Sequence, residues 1–209
     1  YVAHLAEKRY PEISKYKNDR LNGDEKRQLL KDTGALFLTK VGHVALNGTD
    51  NIIISAVVGV LWVGRLSNYT LICDSVTSVL CQITAAITGS LGNFFATEDK
   101  HAGYALFKKV EFLNFWLYGF SFIALVTLLD PFVQIWAGGR FVLGLPMSIA
   151  IAINFFVVGY MNTLWVFRST LGLFKQGKFR PILVAILNIV LSIVLGKLWG
   201  VFGVLFATF

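Results

Sequence analysis

The stretch TKVGHVALNGTDNIIIS, Thr39 to Ser55, decides how the chain is read. It interrupts a long apolar run with Lys40, His43, Asn47 and Asp50. At about 100° per residue on a helix these four fall within a sector of roughly 80°, while Thr49 points the other way. They form one polar stripe on an otherwise apolar helix. A charge at mid-bilayer costs about 2.5–3.5 kcal/mol on insertion scales, so it faces a bundle interior or a wet cavity rather than lipid. The stripe therefore marks a protein-lined or aqueous interior.

The rest of the sequence agrees with a bilayer setting. Of 209 residues 56% are hydrophobic, with a mean hydropathy of +0.65; soluble domains are about 45–50% apolar. The apolar residues come in blocks of about 18–25 or more, the length of a helical span, whereas barrel strands run to about 9–11. The expected fold is an all-α polytopic membrane protein. Residues 1–34 are polar and charge-rich, and Asn22-Gly23 signals a turn after which Asp24 caps a short helix through Leu29 and Leu30. Spans are expected at about 35–63, 70–95, 112–129, 146–167, 182–198 and from 200 to 209, the sixth cut short. Asp130-Pro131 is expected to stop the third span, and PFVQIWAGGRFVLGLP, 131–146, to lie along the surface as a short helix. The chain starts at Tyr1 without a signal-peptide layout and stops at Phe209 inside an apolar run, as an internal piece of a longer protein would.

Basic residues set the orientation. Fifteen of the 19 Lys and Arg fall in the first, third and fifth polar segments, among them Lys26, Arg27, Lys31, Lys100, Lys108, Lys109, Arg168 and Arg180. The alternate connections carry Arg65, Arg140 and Lys197. By the positive-inside rule the Tyr1 end is cytoplasmic, so residues 1–34 are read as a cytoplasmic segment. Trp62, Trp136 and Trp199 fall near the outer boundary and Trp165 near the inner one, as interfacial aromatics do. The pI near 9.5 thus reports topology and not nucleic-acid binding.

The second span repeats the polar layout: Asp74, Thr77, Ser78, Cys81, Thr84 and Thr88 share one face, and Leu80, Ile83, Ile87 and Leu91 the other. Each candidate also has a plainer reading. Lys40 is about two turns from the cytoplasmic end and can snorkel; His43 can be a hydrogen-bonded core residue; Asp74, near the outer mouth, can simply be solvated. Asp50 is deeper, and the alternative for it is a structural ion pair with a cation elsewhere in the protein. Asn114, Asn154, Asn162, Asn188 and Ser192 read as interhelical hydrogen-bonding residues. Cys73 and Cys81 lie about 12 Å apart along one helix, too far to bridge, and read as small apolar fillers. No metal-ligand spacing or cofactor motif occurs.

The stretch RSTLGLFKQGKFRPILVAILNIVLSIVLGKLWGVFGVLFAT, Arg168 to Thr208, resembles the bacterial flippases for lipid-linked polysaccharide repeat units, in the multidrug/oligosaccharidyl-lipid/polysaccharide exporter superfamily. The resemblance lies in GLF with GKFRP, the pair Asn188 and Ser192, and the run Gly200 to Val204. DNIIIS from Asp50 and PFVQIWAGGRF from Pro131 add to it. It implies a six-helix lobe, its last helix truncated, of a two-lobed transporter. Residues 1–34 would then join this lobe to an N-terminal lobe, with 35–209 as the membrane lobe. It also implies multi-pass residence in the bacterial cytoplasmic membrane and transport rather than enzymatic function. The cargo would be an undecaprenyl-diphosphate-linked oligosaccharide, moved outward by alternating access with coupling to H+ or Na+, for surface polysaccharide biosynthesis. Membrane lipids are the other expected partners. The cavity candidates are Lys40, His43, Asn47, Asp50 and Asp74; Asp50 alone lies in a matched motif, and the others follow from helix geometry. A lipid II flippase or multidrug exporter of the same superfamily is the nearest alternative. A membrane enzyme acting on polyprenyl-linked sugars is a further one, disfavoured because every loop after Gly34 is short.

Overall fold

The computed structural model describes residues 22–97, 99–173 and 180–208; most of the polar segment 1–34 lies outside these residues. The described chain is helical, with no strand among the described residues. Its helices are α1 (Gly23–Val57), α2 (Val60–Thr97), α3 (Lys100–Trp136), α4 (Leu145–Thr170) and α5 (Arg180–Ala207).

Helix α1 starts on a capping box. Asn22 accepts from the Gly23 N–H at 2.6 Å, and the Asn22 N–H donates to the Glu25 carboxylate at 3.0 Å. These bonds satisfy donors that a helix start leaves open. The cap is thus Asn22 and not Asp24, and α1 runs unbroken from the polar segment into the apolar stretch. It ends at Val57, and the chain turns at Gly59, whose φ of +123° suits a residue without Cβ. The expected span 35–63 crosses this break, so that 60–63 is already the first turn of α2.

Pro131 does not stop the third span: α3 continues through it to Trp136. Proline removes one hydrogen bond of the ladder. Packing outweighs that loss here, because Leu129 and Val133 on either side are in the core at 1% and 0% exposure. No separate surface helix follows. Residues 131–136 belong to α3, and Gly139–Phe141 is a single 3-10 turn between Gly138 and Gly144, both at positive φ.

Helix α5 bends sharply at Gly200 (φ 61°, ψ −140°). Asn188 Nδ2 lies 3.3 Å from Thr208 Oγ1, although 20 residues of straight helix would span about 30 Å. The chain therefore reverses at Gly200, and 201–208 folds back along 188–199. Glycines permit the approach. A Cβ on Gly203 would sit 2.0 Å from the Leu195 carbonyl oxygen, and one on Gly196 2.9 Å from Val204 Cγ2.

Among the described residues four helices are long and apolar enough to cross a membrane: Val60–Ala86, His101–Trp136, Leu145–Thr170 and, within Ile182–Ala207, the arm before the reversal at Gly200. Helix α1 falls outside this set because its stripe dilutes the apolar run. Broad apolar faces have no partner among the described residues; on α3, Trp116, Phe120 and Ile123 are 64%, 70% and 63% exposed. Contiguous apolar surface on this scale is what a multi-pass protein presents to lipid.

The helices form two groups, α1 with α5 and α2 with α3 and α4. They share a core of Ile53, Ile54, Leu66, Tyr69, Leu129, Val133, Ile151, Phe155, Val201 and Val204. These residues cluster at the end of the bundle that holds Gly59, Gly138 and Gly200, opposite the end bearing Lys108, Arg168 and Arg180. A polar network closes the same end. The Tyr69 hydroxyl donates to Asp130 and accepts from the Leu143 N–H at 2.9 Å, and Ser148 Oγ donates to Asp130 at 2.8 Å. Elsewhere Asn114 Nδ2 donates to the Gly159 carbonyl at 3.0 Å, and Asn162 Nδ2 to Cys81 Sγ at 3.8 Å. Cys73 is buried in the core, and both thiols are free.

Candidate functional site

Helix α1 turns the lower end of its stripe toward α5. Ile53, Ile54 and Val57 set the direction of its packed face, and Asp50, within about 60° of each, points the same way. Lys40 lies about 80–100° from Asp50 around the helix and about 15 Å along it, toward the basic end. Its side chain is exposed, whereas Asp50 is half-buried. The backbones of His43 and Asn47 continue the stripe between them, but their side chains lie outside the described residues.

Helices α1 and the first arm of α5 run parallel. Val57 is level with Gly196, and Asp50 with Asn188 through Thr208. Thr208 arrives from the reversed arm between them. Its hydroxyl lies 2.9 Å from Asp50 Oδ2 and 3.2 Å from the Val204 carbonyl, and can donate to one of these at a time. Asn188 Nδ2 donates to Thr208 Oγ1 and, at 3.4 Å, to the Ala207 carbonyl. These bonds fix the amide, so its oxygen has no donor.

The site is defined by what stays unsatisfied. Asp50 Oδ1, Asn188 Oδ1 and Ser192 Oγ are all buried atoms without a hydrogen-bond partner among the described residues. Asn188 and Ser192 are 4% and 0% exposed and stand one turn apart on the same row of α5. Burying an oxygen without a partner costs about 1–3 kcal/mol, and such groups in native structures call for an ion, a water or a proton. No ion pair joins Asp50 to Lys40 among the described residues. One carboxylate beside neutral amide, hydroxyl and carbonyl oxygens suits a hard monovalent cation, or a proton on the carboxylate. No group of three His, Cys, Asp or Glu occurs among the described residues.

Asp74 stands apart. It is exposed on α2, and the hydroxyls beside it turn back on their own helix: Ser75 donates to the Leu71 carbonyl and Ser78 to that of Asp74, both at 2.7 Å. Deeper on the same face Thr84 is buried, while the side chain of Thr88 lies outside the described residues. Of the five sequence candidates, then, Asp50 meets a polar cluster from another helix, and Lys40 and Asp74 are exposed. Asn188 and Ser192 were legible as the polar pair in an apolar helix, but as hydrogen-bonding residues rather than site residues. Thr208 was missed, because its place depends on the reversal at Gly200.

No protein-family model matches the chain, and no curated protein or solved structure is similar to it.

Proposed function

We propose that this chain is a six-helix lobe of a two-lobed membrane transporter that moves a polyprenyl-diphosphate-linked oligosaccharide to the outer leaflet of the bacterial cytoplasmic membrane. In this reading the movement is coupled to a cation or proton at Asp50. One observation supports it above the others: oxygens of Asp50 and Asn188, joined through Thr208, and of Ser192 one turn along α5, are buried without donors among the described residues. Membrane proteins retain intramembrane ionisable groups for ion or proton handling, because their burial is otherwise unfavourable. The motif resemblance supplies the cargo and the outward direction, and the alternation of basic segments supplies the orientation of the chain.

Binding at Asp50 would couple to shape through the reversed arm. Loading would satisfy Asp50 and hold 201–208 against α1, either through Na+ shared with the Asn188 oxygen or through a proton on the carboxyl, which donates a single hydrogen bond. Unloading would leave an uncompensated carboxylate there and favour separation of the two helices. Exposed Lys40 and Asp74 would lie toward the cavity shared with the second lobe, where a lysine can meet a diphosphate.

The test is translocation by the full-length protein reconstituted in liposomes with a fluorescent lipid-linked oligosaccharide. Transport that requires an H+ or Na+ gradient is expected. Efflux of a cationic drug without flipping of the lipid would assign the multidrug branch instead, and movement of neither would overturn the transporter reading.

A further inference from the structure

At the basic end the helices separate, and a groove of about 830 Å³ opens between the ends of α2 and α4 and the starts of α3 and α5. Its walls are apolar, built from Phe95, Phe107, Met161, Leu164 and Phe167. The Phe167 ring packs edge-on against Phe95 at 5.7 Å and Phe107 at 5.0 Å, which fixes that wall. The charged groups in the lining are Arg168 and Arg180, with no carboxylate among the described lining residues. Lys108 adds a third cation, its Nζ 4.7 Å above the ring of Tyr104, which also lines the groove. Arg168 lies over Trp165 at 5.5 Å and spends one donor, Nε, on the Leu173 carbonyl at 3.0 Å. Arg180 is exposed and has no hydrogen-bond partner among the described residues.

We propose that this groove binds an anionic glycerophospholipid of the surrounding bilayer, an acyl chain along the aromatic wall and the phosphate against Arg168 and Arg180. The volume falls within the range of about 300–1,000 Å³ typical of small-molecule sites. Basic pockets between transmembrane helices recognise anionic lipid headgroups in this way. A free phosphate would leave the apolar walls unused, and a zwitterionic lipid would leave the guanidinium charge unmatched. The groove takes no residue from α1, so it is separate from the Asp50 site. Helices α4 and α5 touch each other little, and the lipid fills the space between their ends. The inference rests on the chain crossing a membrane and not on the cargo or direction proposed above.

The test is native mass spectrometry of the full-length protein, delipidated in detergent and titrated with phosphatidylglycerol, phosphatidylcholine or a polyprenyl diphosphate. Phosphatidylglycerol should be retained preferentially. Arg168→Gln with Arg180→Gln should weaken its retention about 30-fold, from the usual electrostatic share of two basic residues at a membrane surface. Leu164→Trp should reduce it by filling the groove, and Lys197→Gln at the other end should leave it unchanged. Circular dichroism melting of each variant separates lost binding from lost fold, and Arg180→Gln alone, at an exposed position, keeps the test valid if the double variant misfolds. Equal retention of the two phospholipids, or undiminished retention in a folded Arg180→Gln variant, would overturn the proposal. So would preference for the polyprenyl diphosphate, which would make the groove a cargo site, or displacement by inorganic phosphate alone.

Discussion

At the residue scale the account turns on oxygens without donors. Ser192 separates its two possible roles. Its hydroxyl makes no hydrogen bond, so Ser192→Ala removes none, and a purely structural serine there predicts a melting temperature unchanged or slightly raised. A ligand role predicts the same melting temperature with transport reduced, and scanning calorimetry beside a transport assay reads both. Gly203 makes the opposite prediction. A methyl there meets backbone 2.0 Å away, which cannot rotate aside. Gly203→Ala should cost about 1–3 kcal/mol or more, measured as a lower melting temperature. The sequence made Asp50 legible because a carboxylate in an apolar run has few explanations. It could not show Thr208, since threonine is ordinary in such helices and only the reversed backbone brings it to Asp50.

At the element scale, helix ends resisted reading more than helix cores. Asn22 and Asp24 are both good caps, and the choice fell to Asn22 because Glu25 sits where its carboxylate returns to the Asn22 N–H. Pro131 looked like a terminator because its local cost is visible in sequence, while the packing of Val133 that outweighs it is not. The closing network is non-local as well: Tyr69 and Asp130 are 61 residues apart. Tyr69→Phe should leave Asp130 without one donor and the Leu143 N–H without its acceptor. The expected cost is about 1–3 kcal/mol in detergent or lipid, read as a fall in melting temperature. No fall would mean that water takes over both partners and that this end of the bundle is wet.

At the scale of the whole molecule, the bundle is packed at one end and open at the end bearing Arg168 and Arg180, and which end faces the cytoplasm is a matter for labelling. A cysteine replacing Lys108 should react with an impermeant reagent only from the cytoplasmic side, and one replacing Arg140 only from outside. Labelling of both from one side would reverse or abolish the proposed topology. The central claim, that Asp50 works as a coupling group, is tested most directly by pairing two readings on Asp50→Asn in the full-length protein: melting temperature and polysaccharide export. The substitution nearly preserves shape and hydrogen bonding while removing the charge. The account predicts export lost at an unchanged melting temperature, with Asp50→Glu retaining part of the activity. A structural ion pair predicts instead that breaking it costs about 3–5 kcal/mol, so that stability and export fall together. Normal export by Asp50→Asn would contradict the account outright.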